Sequence, residues 1–283
     1  MQDLRIINLM ENTQGHAGCV FEHGLSFYVQ TEKHRLLVDA GPSENFMKNA
    51  QALGIDLGQV DALILSHGHY DHSGGILPFA ERFPKTKIYM QKTALGEYYA
   101  FDGAELGYRY IGIDKRIGEL PQVVMLDGDT KLDEELSVFL VDEHITKIPS
   151  TNRRILKKVG EEYEQDDFRH EQALVVQTKG RRIVLSGCAH NGILNVMEEF
   201  RRKFGGNPDL VVSGFHLMKK TEYRPEQLSE IEEIAKRLLE YEGTRYVTCH
   251  CTGIPAYELM KKVMGERLSY VHAGEEVMPW WED

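Results

Sequence analysis

The feature that most constrains this 283-residue chain is a repeat of its own plan. Val29-Gln30-Thr31 leads through a turn to Arg35-Leu36-Leu37-Val38-Asp39-Ala40-Gly41. Val176-Gln177-Thr178 leads through a turn to Arg182-Ile183-Val184-Leu185-Ser186-Gly187-Cys188. A helical stretch follows each. Next comes a strand that opens with Asp and ends in Ser and His, Asp61 to His67 in one half and Asp209 to His216 in the other. A third strand then ends at Gln91 and at His250. A β/α layer must bury its apolar face against a second layer, and a duplicated layer supplies one. The expectation is an α/β fold of the αββα sandwich type, with two pseudo-repeated halves in a single domain.

Short runs rich in Val, Ile, Leu and Tyr predict strands at 25–29, 35–39, 62–66, 87–91, 138–142, 173–178, 182–186, 210–213 and 245–249. Helical patterns fall at 44–53, 76–83, 193–204, 225–241 and 256–263. In the 225–241 helix, Leu228, Ile231, Ile234, Ala235, Leu238 and Leu239 are expected on one face. Two segments break the plan, near 93–120 and 143–170. The first carries Tyr98, Tyr99, Phe101, Tyr108 and Tyr110. Insertions of this length form lids or substrate walls, or merely decorate the surface.

A hydrophobic content of 42% suits a globular chain, so metal is not needed merely to hold the fold. The formal net charge of −11 argues against a nucleic-acid partner. It leaves room for an anionic substrate, because a local metal or lysine cluster can outweigh the global field. No apolar run is long enough to cross a bilayer, and Met1-Gln2-Asp3-Leu4-Arg5 lacks the build of a signal segment. Cytoplasmic location is the expectation. Cys19, Cys188, Cys249 and Cys251 show no disulfide-like spacing. They read as small apolar neighbours or minor site residues.

Chemistry concentrates where the buried run Ala62-Leu63-Ile64-Leu65 gives way to His67-Gly68-His69-Tyr70-Asp71-His72. Three imidazoles and a carboxylate within six residues suit zinc, and also iron or manganese. Gly68 would let the backbone turn so that alternate side chains converge.

This run is similar to the His-x-His-x-Asp-His motif of the metallo-β-lactamase superfamily, and Leu37-Val38-Asp39-Ala40-Gly41 also resembles that family. The resemblance implies one or two divalent metal ions, zinc first. It implies His67, His69 and His190 as ligands of one ion, and Asp71, His72 and His250 as ligands of a second. It implies Asp39 as the partner of a metal-bound imidazole. Where the family carries a bridging Asp, this chain reads Val212-Ser213-Gly214-Phe215-His216. His216 is therefore a candidate ligand or substrate contact, because neutral imidazole cannot bridge two ions as a carboxylate can. His23 and His170 precede apolar strands and are candidate partners of metal-bound imidazoles. His23 is also a candidate substrate contact.

Finer motifs are Glu22-His23-Gly24-Leu25-Ser26, Ser186-Gly187-Cys188-Ala189-His190-Asn191-Gly192 and His250-Cys251-Thr252-Gly253. They resemble a branch of metal-dependent hydrolases that includes dihydropterin–ribofuranosylaminobenzene phosphate synthase. The expected activity is metal-assisted hydrolysis of an anionic or phosphate-bearing small molecule, with Asp71 orienting the water or passing a proton. The alternatives are a transferase joining a dihydropterin to an arylamine phosphate, and a non-catalytic metal-dependent ligand sensor. Lys219, Thr252 and Gly253 are candidate substrate contacts. Thr252 is expected to cap the next helix and leave backbone N–H groups for phosphate.

Overall fold

The computed structural model describes residues 4–278, so the first three residues read above lie outside it. The chain divides into two compact units that interleave in sequence. Unit 1 takes Met1–Leu95, Ile113–Leu126 and Val271–Asp283, and unit 2 takes Gly96–Gly112 and Asp127–Tyr270.

Unit 1 holds a six-stranded sheet. Its order is β1 (Leu4–Met10), β2 (Ser26–Thr31), β3 (Arg35–Val38), β4 (Ala62–Ile64), β5 (Lys87–Gln91) and β8 (Val123–Leu126). The first two pairings are antiparallel and the last three are parallel. Helix α1 (Asn45–Ala52) connects β3 to β4; α2 (Tyr70–Ser73) and α3 (Ile76–Arg82) connect β4 to β5. Leu37, Leu63 and Ile88 of the strands meet Phe46 and Ala50 of α1 and Ile76, Phe79 and Ala80 of α3 in one core. Each fully buried phenylalanine there contributes about 1.5–3 kcal/mol.

Unit 2 holds two sheets. The small one has the order β12 (Glu162–Gln165), β11 (Ile155–Val159), β6 (Tyr98–Phe101), β7 (Tyr108–Tyr110). It is made from the two segments that break the repeat. The large one has seven strands: β17 (Leu268–Tyr270), β16 (Arg245–Thr248), β15 (Leu210–Ser213), β14 (Arg181–Ser186), β13 (Ala173–Thr178), β10 (Leu136–Phe139) and β9 (Thr130–Lys131). Helices α4 (Ile193–Phe204), α5 (Pro225–Leu238) and α6 (Ile254–Met264) make its parallel crossovers. Val184, Val211 and Tyr246 pack with Phe200, Ile231 and Met260 of the three helices.

The repeat runs further than the sequence suggests. From β10 through β13, β14, β15 and β16 to β17, the pairings are antiparallel twice and then parallel three times. Unit 1 has the same series from β1 to β8. The mixed α/β class expected from the sequence is therefore what the chain adopts.

Some local readings need correction. The buried stripe of α5 is Gln227, Ile231, Ala235 and Leu238, and Leu228 lies outside it at 41% exposure. Pro225 sits in the first turn, where its missing N–H costs nothing. The strand 138–142 is displaced to Leu136–Phe139, because it pairs with β13 in the register Phe139↔Ala173.

Candidate metal-binding residues

In unit 1, strand β4 ends at Ile64, and Asp39 follows the end of the neighbouring strand β3. Asp39 is buried with a left-handed backbone, φ 64°. That strained turn directs its carboxylate onto the loop after β4. Oδ1 accepts the Ser66 N–H at 2.7 Å, and Oδ2 accepts the Ser66 hydroxyl at 2.8 Å. Oδ2 also accepts Nδ1–H of His72 at 2.6 Å. The Ser66 hydroxyl donates to Asp39, so its oxygen accepts Nδ1–H of His67 at 2.9 Å. Both imidazoles are thereby fixed with the proton on Nδ1 and the lone pair on Nε2, the form that binds a metal ion.

The imidazole rings of His67 and His72 lie 4.1 Å apart, and those of His67 and His69 lie 4.6 Å apart. All three histidines are buried. Asp71 lies in the single turn α2, which follows His69. Its Oδ2 is 3.4 Å from Nε2 of His23, whose side chain is half exposed. Gly24 makes this approach possible: at φ +158°, a Cβ there would sit 2.4 Å from the Asp71 carbonyl. The left-handed residue beside this loop is Asp39, in the turn after β3.

In unit 2, three parallel strands end in register at Ser186, Ser213 and Thr248. The loops beyond them carry His190, His216 and His250. Each loop turns through a left-handed non-glycine residue: Ala189 at φ 51°, His216 at 47° and His250 at 46°. Residues held this way cost about 1–3 kcal/mol each and mark positions over-determined by their surroundings.

His190 is held from four sides. Its Nδ1–H donates to Oδ1 of Asn152 at 2.8 Å. The amide of Asn152 donates to the His190 carbonyl at 2.8 Å, which fixes which end of Asn152 accepts. Its own N–H donates to Glu171 at 2.7 Å, and the ring of Phe168 stacks on the imidazole at 4.8 Å and 8°. Burial pushes the Glu171 carboxyl up, against the pull of N–H groups from Asn191 and His190. The His216 ring lies 4.2 Å from that of His190, and its Nδ1 bonds the Thr151 hydroxyl at 3.2 Å. Nε2 atoms of His67, His69, His190 and His250 are buried and carry no hydrogen bond among the described residues.

This donor set fits a divalent ion. In unit 1, His67 and His72 are held with Nε2 as the ligating nitrogen, and Asp71 follows in the same loop; in unit 2, His190 is held in the same tautomer by Asn152. His170 is buried and bonds Asp166 at 3.0 Å, with Tyr98 against its ring at 4.0 Å. Asn152 and Glu171 were not singled out from the sequence. The only signal for Glu171 is an acidic residue wedged between His170 and an apolar strand.

The expected cap at Thr252 is not formed. Thr252 is buried, and its hydroxyl accepts the Phe215 N–H at 2.8 Å. Gly253 is the N-cap of α6, without a side-chain cap bond. Lys219 donates to Gln227 at 2.6 Å and to the Glu222 carbonyl at 3.1 Å, which ties it to the start of α5. The exposed rings of the small sheet share one face: Tyr99 with Tyr110, Phe101 with Tyr108, and Tyr163 stacked on Tyr108 at 3.9 Å. Tyr98, which meets His170, is on the other face.

A family model described as the metallo-beta-lactamase superfamily matches residues 20–147. The crystal structure of Tm1679, a metal-dependent hydrolase of the beta-lactamase superfamily, superposes with a TM-score of 0.81 at 30% identity. The match covers 98% of this chain and 99% of that one. The 7,8-dihydropterin-6-methyl-4-(beta-D-ribofuranosyl)-aminobenzene-5'-phosphate synthase of Methanocaldococcus jannaschii is 27% identical, over 97% of this chain and 96% of its own length. Zn(2+)-bound PqqB from Methylobacterium extorquens shares the fold, with a TM-score of 0.55 at 16% identity. With its histidine array and these likenesses along its whole length, the chain belongs to the metallo-beta-lactamase superfamily.

Proposed function

We propose that this protein is a metal-dependent hydrolase acting on an anionic or phosphate-bearing small molecule. The superfamily is enzymatic and binds divalent metals; the substrate and reaction are the further step. The observation that carries it is the Asp39–Ser66–His67/His72 network, which presents two Nε2 lone pairs beside Asp71. Likeness to a metal-dependent hydrolase along the whole chain supports the reaction class.

His67, His69, Asp71, His72, His190 and His250 are the proposed ligands, zinc the proposed metal, and His216 an accessory ligand or substrate contact. A bound ion would supply Lewis acidity and a water of lowered pKa. The chain's own residues do the rest. Asp39 and Asn152 hold imidazole tautomers, with Asn152 and Glu171 fixing the backbone of His190. Asp71, with His23 at its Oδ2, holds or moves a proton at that oxygen. No helix among the described residues is long and apolar enough to cross a membrane. The four cysteines form no disulfide, which suits the cytoplasmic setting we propose.

The experiment is turnover of generic phosphodiesters, phosphomonoesters, lactones and thioesters by purified protein, with and without chelator. Chelator-sensitive hydrolysis lost in Asp71→Ala is expected. No turnover of any class would refute the hydrolase reading. A second reading, a transferase joining a dihydropterin through its methyl carbon to an arylamine phosphate, is favoured by the full-length likeness to the Methanocaldococcus synthase. It predicts coupling of dihydropterin diphosphate to that amine.

A further inference from the structure

Two thiols stand beside one of the proposed ligands within unit 2. Ligand atoms of Cys188, His250 and Cys251 all lie within 4.8 Å of one another. All three residues are buried. Ligand atoms around a tetrahedral zinc-like ion stand about 3.3–3.8 Å apart, given bonds of about 2.0–2.3 Å. The three atoms thus stand at most about 1.0–1.5 Å beyond the spacing a common ion sets. Packing alone accounts for buried thiols as small apolar fillers, but three further observations go beyond packing.

First, the His216 N–H donates to Sγ of Cys251 at 3.3 Å. That sulfur, which also contacts the Cys188 carbonyl at 3.6 Å, is thereby held in a fixed position beside His250. Second, the room for that sulfur is specifically kept: a Cβ on Gly214 would lie 2.4 Å from it. Third, the backbone is strained on both sides, at His216 and at His250. The Met218 N–H to the Cys251 carbonyl at 2.8 Å locks the two loops together.

We infer that Cys188, Cys251 and His250 form a thiolate-bearing site for a soft or borderline tetrahedral cation, of the zinc or cadmium class. Thiolate with imidazole is the donor mixture such ions select over harder ones. Binding forms two metal–sulfur bonds and one metal–nitrogen bond, and both S–H protons pass to solvent. The site shares His250 with the proposed catalytic ligands and so rests on that reading. Its consequence is that a soft ion would be drawn toward the sulfur side of His250.

The test is titration of the full chain, freed of metal by dialysis against chelator, with cobalt(II) and cadmium(II). Wild type is expected to show a thiolate-to-cobalt charge-transfer band in the near ultraviolet, besides the visible bands of a histidine-bound ion. Cys188→Ser and Cys251→Ser are expected to lose the charge-transfer band, keep the visible bands and bind cadmium about tenfold or more weakly. Cys249→Ser is expected to keep both. In wild type, cadmium is expected to protect two thiols from alkylation, a readout that needs no variant to fold. Visible bands without a charge-transfer band, with unprotected thiols, would overturn this site and leave the proposed catalytic ligands standing. Absence of any cobalt binding would overturn both.

Discussion

Glu171→Gln tests how His190 is held. Three N–H groups converge on the two Glu171 oxygens: His190 N at 2.7 Å, Asn191 N at 2.9 Å and Asn191 Nδ2 at 2.8 Å. Both oxygens must accept, which a carboxylate does and an amide does not. Glutamine retains the two Asn191 bonds only by turning its NH2 toward the His190 N–H. One bond to a charged acceptor is then lost, and a buried donor faces another donor. The cost is about 2 kcal/mol, which lowers Tm by about 4–8 °C in a chain of this size. The loop carrying His190 shifts, and metal affinity falls by about 10- to 100-fold, as for other losses of a ligand's support. The assays are calorimetry and competition for zinc with a chromophoric chelator. Wild-type stability within about 0.5 kcal/mol, together with unchanged zinc affinity, would refute the reasoning.

Asp39→Asn keeps a residue that tolerates the left-handed turn but weakens the acceptor of Ser66 and His72. Zinc affinity is expected to drop about 10- to 100-fold with little change in circular dichroism. Gly214→Ala places a Cβ 2.4 Å from the Cys251 sulfur and 3.1 Å from the Gly187 carbonyl. Denaturant unfolding should show a loss of about 1–3 kcal/mol. Arg109 beside Asp102 holds its carboxyl below the usual range for aspartate. The folded state then releases that proton more readily than the unfolded one, so the pair stabilises above about pH 4 and less as pH falls through the lowered pKa. The stability gap between wild type and Asp102→Asn, measured by urea unfolding across pH, should close on the acid side.

Much of the layout was legible because it rests on local pattern. The β2–β3 and β13–β14 hairpins are apolar runs broken by polar turns, and His67 to His72 follows a strand with no intervening segment. Strand β1 was missed because its seven residues do not alternate, nearly all being buried on both faces. The supports of His190 were missed for a different reason. Asn152 lies 38 residues from its partner, in a segment without periodicity, and only the fold brings them together. Thr252 shows the converse error. Its position before a helix reads as a cap, yet its hydroxyl is taken by Phe215, 37 residues away. The third sheet was invisible because its two hairpin segments are 45 residues or more apart and pair only with each other, as in Ile155↔Ala100.

The buried histidines are proposed to serve a divalent metal ion. Elemental analysis of protein purified without added metal, alongside His67→Ala and His69→Ala, tests it most directly. A transition metal, zinc foremost, is expected at one or two equivalents per wild-type chain, with loss of at least one equivalent in each variant. A folded wild-type protein that carries no such metal, and takes up none on dialysis against zinc, manganese or iron, would contradict it.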